Sequence, residues 1–90
     1  MGWDKLMCMS ARKIYQKLLA NAHNIRFADL CKVVEAFGYR LDRVSGSHHI
    51  YEHPGATRPL NLQKCRGEAK PYQIRQFLRD VEEFHLTLKD

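Results

Sequence analysis

With 90 residues, 44% of them hydrophobic and 28% charged, the chain has length for one core and one domain, and its composition excludes the disordered and fibrous classes. The net charge is +5 with the histidines neutral, and the excess is local: residues 59–79 carry five Lys or Arg against one Glu, whereas 80–90 carry four acids against one Lys. That pattern suits a phosphate-bearing partner and, equally, a plain solvated basic face.

Three cysteines, Cys8, Cys31 and Cys65, are an odd number without a Cys-x-x-Cys pair. They argue against a disulfide framework or a thiolate zinc site and fit a reducing cytosol. Residues 1–9 hold no apolar run of signal-peptide length, and no uncharged segment is long enough to span a bilayer. The expectation is a cytoplasmic protein with no membrane partner, whose first nine residues form a flexible terminus without a function of their own.

In chain order, Ser10 is placed to cap a first helix reaching about Ala22, with Ile14, Leu18 and Leu19 on one face. His23-Asn24 breaks the pattern. A second helix over about Phe27–Phe37 buries Leu30, Val33, Val34 and Phe37, and Gly38 stops it. Tyr39–Ser45 alternates polar and apolar residues as a strand does, with a bulge expected near Arg43, and Ser45-Gly46 turns the chain. A second strand over about Ser47–His53 puts His48, Ile50 and Glu52 on one face and His49, Tyr51 and His53 on the other. Pro54-Gly55 makes another turn, and Leu60–Gln63 is a short third strand whose leucines share the core face. Lys64–Lys70 reads as a polar loop. Pro71 then opens a last helix with Ile74, Phe77, Leu78 and Val81 at helical spacing, which is a core stripe and not a cofactor box. Helix, helix, three strands, helix assemble most simply as a two-layer α+β domain with one sheet face free for solvent.

The run from Phe37 to Tyr51, containing Gly38-Tyr39 and Gly46-Ser47-His48-His49, followed by Arg58-Pro59-Leu60-Asn61-Leu62, resembles the HicA (YcfA-like) toxin family. Residues 28–86 cover that family's whole plan. The resemblance implies a core over 27–86 with the α-β-β-β-α fold of the double-stranded RNA-binding domain, with residues 10–22 as one additional N-terminal helix. It implies an endoribonuclease that cleaves mRNA as the toxin of a type II toxin–antitoxin system, with the catalytic histidine directly after Gly-Ser, here His48. It also implies a HicB antitoxin, usually encoded beside the toxin, that covers this histidine. Two departures stand out. The first helix has no counterpart in shorter members, and Gln63–Pro71 replaces a Pro-His-containing loop, so a second histidine from that loop is missing.

Cleavage without a metal or other cofactor needs a base for the ribose 2′-OH, an acid for the leaving 5′ oxygen and cations for the charge developing on phosphorus. Histidine suits the proton transfers because it holds either protonation state near working pH. Gly46 and the N–H groups of its turn, Ser47 included, allow close approach of a phosphate. Arg43, Lys64, Arg66 and Lys70 are the candidate phosphate clamps. Arg75 and Arg79, one turn apart on the last helix, can reach phosphate across an RNA groove or stand as solvated charges. Strand parity makes Tyr51 a packing residue and favours a structural role for His49, the alternative being a contact to RNA. His49 and His53 lie roughly 13 Å apart along a strand, too far to chelate one metal. Cys65 fits an ordinary loop thiol, and Glu68 helps in acid–base work only if its loop folds back. Two other functions fit the same residues: an RNA-binding module without cleavage, and a protein-interaction domain whose first helix makes a homodimer or docks on another protein.

Overall fold

The computed structural model describes residues 10–89, so the terminal segment 1–9 lies outside the described residues. The elements are α1 (Ala11–Ala20), α2 (Phe27–Ala36), β1 (Arg40–Ser45), β2 (His48–Glu52), β3 (Leu60–Cys65), β4 (Glu68–Ala69) and α3 (Pro71–Glu83). The strands form one antiparallel sheet in the order β1-β2-β3-β4. This is the expected α+β, double-stranded RNA-binding-domain-like arrangement with an additional first helix.

Local chemistry accounts for most boundaries. Ser10 caps α1, its hydroxyl accepting from the Lys13 N–H at 3.2 Å. The helix stops two residues before the expected Ala22 because Asn21 turns extended and its side chain accepts from the His23 N–H instead. Gly38 closes α2 in a Schellman motif: its N–H donates to the Glu35 carbonyl and that of Tyr39 to Val34. The expected bulge is present, with the β1–β2 register shifting between Leu41 and Arg43. At the next turn Gly46 takes φ +61, the sign that the first central residue of a type II′ hairpin needs.

The segment read as a polar loop, Lys64–Lys70, is a second tight hairpin. β3 runs on to Cys65, Arg66 and Gly67 both take positive φ (+54 and +80), and Glu68-Ala69 returns as β4. Two positive φ values are what a type I′ turn demands, and Arg in place of the usual Asn or Asp hides the signal. β4 is held in turn by Ile25–Phe27, through Ala69 N–H to the Ile25 carbonyl and Phe27 N–H to that of Gly67.

The core lies between the helices and one sheet face, and includes Ile14, Leu18, Leu30, Val33, Val34, Phe37, Tyr51, Leu60, Leu62, Ile74 and Phe77. Leu19, expected on the buried face of α1, is 59% exposed, since the helix buries only the stripe of Ile14 and Leu18. Leu78 is half-buried at the edge of the core. The hydroxyl of Tyr51, itself buried, donates to Glu35 Oε2 at 3.0 Å. Tyr39 is also buried, and its hydroxyl meets no partner among the described residues.

Burial, reinforced by nearby Asp80, pushes the Tyr39 hydroxyl up to about 12, and burial with its bonds to Cys31 and Glu35 moves Tyr51 upward as well. An acid raised in this way keeps its proton in the folded chain after the unfolded chain has lost it. Stability therefore falls as pH rises above the ordinary tyrosine value near 10. The urea midpoint is expected to be lower at pH 11 than at pH 9, with Tyr39→Phe flattening the slope. Equal midpoints at the two pH values would contradict this.

Candidate functional site

Register decides which side chains share a surface. His49 pairs with Leu62 and Tyr51 with Leu60, so these four face the helices; His48 pairs with Gln63 and Ile50 with Asn61, so these face away from them. His48 thus stands half-buried on the open face at the first position of β2, directly past the Gly46 turn. Its Nδ1 lies 3.1 Å from Asn61 Oδ1, the diagonal neighbour on β3. An amide oxygen only accepts, so this bond requires the proton on Nδ1 and leaves Nε2 with the free lone pair.

α3 runs beside the outer edge of β3, where β4 is too short to pair with the whole strand. Gln73, buried in the first turn of α3, caps that edge: its Oε1 accepts from the Gln63 N–H at 2.7 Å. The side of α3 and the open sheet face thereby wall a cleft of about 490 Å³, lined by His48 and Asn61 from the sheet and by Tyr72, Gln76, Arg75 and Arg79 from the helix. Arg75 is exposed and has no carboxylate partner among the described residues, while Arg79 donates to Gln76 Oε1 at 2.8 Å. Beside the cleft, Lys70 Nζ donates to Gln63 Oε1 at 2.9 Å, and Gln63 Nε2 donates to Ser47 Oγ at 3.4 Å. The cross-strand neighbour of His48 therefore ties together Ser47 and a cation.

Arg58 also lines the cleft. It donates to Asp80 Oδ1 at 2.6 Å and to Glu83 Oε1 at 2.8 Å, and its guanidinium sits 4.9 Å from the centre of the Phe84 ring. Asp80 is 1% exposed and takes a further bond from Gln76 at 2.8 Å. These contacts draw the Glu83 carboxyl below its ordinary value, the bond from Arg58 being the main cause. Arg58 is thus committed to fastening the β2–β3 connection to α3.

A family model described as "HicA toxin of bacterial toxin-antitoxin" matches residues 27–82, more than half of the chain. The chain belongs to the HicA toxin family. No curated protein and no solved structure matches it. The HicA match begins at α2, so α1 lies outside it.

The candidate residues of this HicA chain fall into two groups. Gly46, Ser47, Lys70, Arg75 and Arg79 gather with His48 at the turn, beside β3 and along the cleft. Arg43 lies opposite Ile50 on the open side of β1 and is paired with its neighbour Asp42. Lys64 takes the parity of Leu60 and Leu62, close enough to Cys31 of α2 to lower that thiol against the dominant upward effect of burial, so it is turned away from His48. Arg66 stands exposed at the tip of the β3–β4 hairpin. Glu68 is in β4, exposed, and its backbone pairs with that of Arg26 in an isolated antiparallel β-bridge. His49 packs edge-on against Phe27 with ring centres 4.8 Å apart. His53 bonds the Phe37 carbonyl through Nε2 at 2.9 Å and accepts from the Gly55 N–H through Nδ1 at 2.8 Å. Both are structural. No cluster of three or more His, Cys, Asp or Glu fit to hold a metal occurs among the described residues, and no helix among them is long and apolar enough to cross a membrane.

Asn61 in the cleft, Gln63 beside it, and Tyr72 and Gln76 on its helix side are residues that sequence reasoning passed over. The signal for the first two was present: placing Leu60 and Leu62 on the core face sends Asn61 and Gln63 to the face of His48. Tyr72 carried no such signal, because its position depends on α3 lying along the β3 edge.

Proposed function

We propose that the protein is the ribonuclease toxin of a toxin–antitoxin pair and cleaves mRNA at the His48 cleft without a metal ion. The observation that carries this reading is the placement of His48: on the open face, Nδ1 held by Asn61, Nε2 free, with Arg75 and Arg79 along the same cleft.

In the proposed step, His48 Nε2 removes the proton of a ribose 2′-OH, and the oxygen attacks the adjacent phosphorus. The bond from phosphorus to the 5′ oxygen of the next nucleotide breaks, and that oxygen takes a proton from water. The imidazolium afterwards returns its proton to solvent. Arg75, Arg79 and Lys70 supply positive charge where the phosphorane becomes more negative, a contribution that fixed cations make without reorganising. His48 is the one imidazole lining the cleft among the described residues, so water stands in for a second histidine as the acid.

HicA-family toxins work with HicB antitoxins and bind RNA. A HicB-type partner that fills this cleft would block His48 directly, and a cytoplasmic location follows from an mRNA substrate. The test is the chemistry of the cut ends. Purified protein acting on a synthetic single-stranded RNA is expected to leave a 2′,3′-cyclic phosphate and a 5′-hydroxyl, at the same rate in EDTA, and to spare a site whose 2′-OH is replaced by hydrogen. Ends bearing 5′-phosphate, or cleavage abolished by EDTA, would reject the mechanism.

A further inference from the structure

Tyr72 is 56% exposed, one of four large hydrophobic side chains left largely in solvent among the described residues. An isolated surface aromatic is ordinary. This one differs from Leu19, Leu41 and Val44 in its company, for it lines the cleft that holds His48, Asn61, Arg75 and Arg79. It sits in the first turn of α3, and Arg75 follows three residues later on the same helical face.

Its hydroxyl is also tethered. Gln73 Nε2 donates to the Tyr72 hydroxyl at 3.5 Å, while the same amide's Oε1 is engaged by the Gln63 N–H on β3. One buried amide thus links the phenol to the strand that positions His48, while the ring's surface stays open. A flat π surface beside the exposed guanidinium groups of Arg75 and Arg79, in a cleft with a proton acceptor, matches the surface that proteins offer to unpaired nucleotides: a base stacks on the ring as cations follow the phosphates.

We infer that Tyr72 is a base-stacking subsite and that the cleft takes RNA as a single strand, with one unpaired base on Tyr72 and the adjoining ribose and phosphate directed toward His48 and Arg75. A base inside an A-form duplex has its faces covered by its neighbours, and that helix's deep, narrow major groove admits no side chain to it. The subsite therefore selects against double-stranded substrate. This rests on the ribonuclease reading of the cleft, and it adds the strandedness of the substrate and the residue that senses it.

The experiment uses a labelled ten-nucleotide RNA with 2′-O-methyl riboses, which binds but cannot be cut, followed by anisotropy. Tyr72→Ala is expected to weaken binding of the single strand about ten-fold or more, within the range that removing one stacking aromatic produces. Tyr72→Phe and Tyr72→Trp should bind like the parent chain. After annealing to a complement, the parent and Tyr72→Ala should bind equally. Because Tyr72 is exposed, the variants should melt with the parent, and Tyr72→Phe keeps the test sound should Tyr72→Ala fold poorly. Unchanged affinity in Tyr72→Ala, a loss in Tyr72→Phe as large as in Tyr72→Ala, tight duplex binding that depends on Tyr72, or no RNA binding by the parent would overturn the subsite. Binding to an uncuttable strand is independent of cleavage. A parent that binds through Tyr72 but never cuts ordinary RNA keeps the subsite and loses the nuclease, and a parent that cuts with Tyr72 irrelevant does the reverse.

Discussion

His48→Ala is expected to lower the rate of RNA cleavage by about 10²- to 10⁴-fold, the usual range for a positioned acid–base group, and to relieve growth arrest in cells that express the chain without its antitoxin. His48 is half-buried on the open sheet face and belongs to no part of the hydrophobic core, so the variant should unfold at nearly the parent's urea concentration. Loss of cleavage with folding preserved is the decisive combination. A variant as toxic and as active as the parent would remove His48 from the mechanism. Asn61 sharpens the test because its amide oxygen acts only through the ring, at Nδ1. Asn61→Ala removes the acceptor that fixes the tautomer and should cost roughly ten-fold, since imidazole then spends time with the proton on the wrong nitrogen. Asn61→Asp puts a carboxylate beside Nδ1, which favours the imidazolium. Its activity should need a higher pH to appear, so the acid limb of the rate profile moves up. A purely structural Asn61 would lower the rate at every pH alike.

Fold and site were legible to different depths. Helical spacing and the Gly38 stop located α2 and α3, and strand parity separated His48 from His49, because both depend on periodicities of a few residues. The Arg66-Gly67 hairpin was missed because an exposed charged residue filled a turn position usually held by Asn or Asp. Lys64 illustrates a further limit. Its charge suggested a phosphate clamp, yet once β3 continues to Cys65 the alternation carries it to the helix side, near Cys31. The joining of Arg58 to Asp80 and Glu83 spans 22 and 25 residues, and no local pattern announces it. The cleft itself is of this kind. His48 was readable from its motif, but Tyr72, Gln73 and Arg75 reach it only because α3 covers the free edge of β3.

Gly38→Ala is expected to destabilise the chain by about 2–3 kcal/mol, a large share of the roughly 5–15 kcal/mol that holds a domain of this size together. Two costs add. Gly38 closes α2 at φ +98, a conformation that charges an L-residue roughly 1–2 kcal/mol. The new Cβ would also stand 2.9 Å from His53 Nε2, the atom bonded to the Phe37 carbonyl at 2.9 Å. His53 cannot retreat freely, because its Nδ1 holds the Gly55 N–H at 2.8 Å, so a displaced ring gives up a bond of about 1 kcal/mol. Gly46→Ala separates the two costs. Gly46 also has positive φ, +61, but a Cβ there meets nothing within 4 Å, so that variant bears conformational strain alone and should lose about 1 kcal/mol. Urea unfolding of the two variants measures the difference. His53→Ala in the Gly38→Ala background supplies the last arm: with the ring gone the added methyl has room, and the two substitutions together should cost less than the sum of each alone. Additive losses would mean that the methyl and the imidazole do not meet, and that the His53 bridge from α2 to the β2–β3 connection is not what makes glycine necessary at position 38.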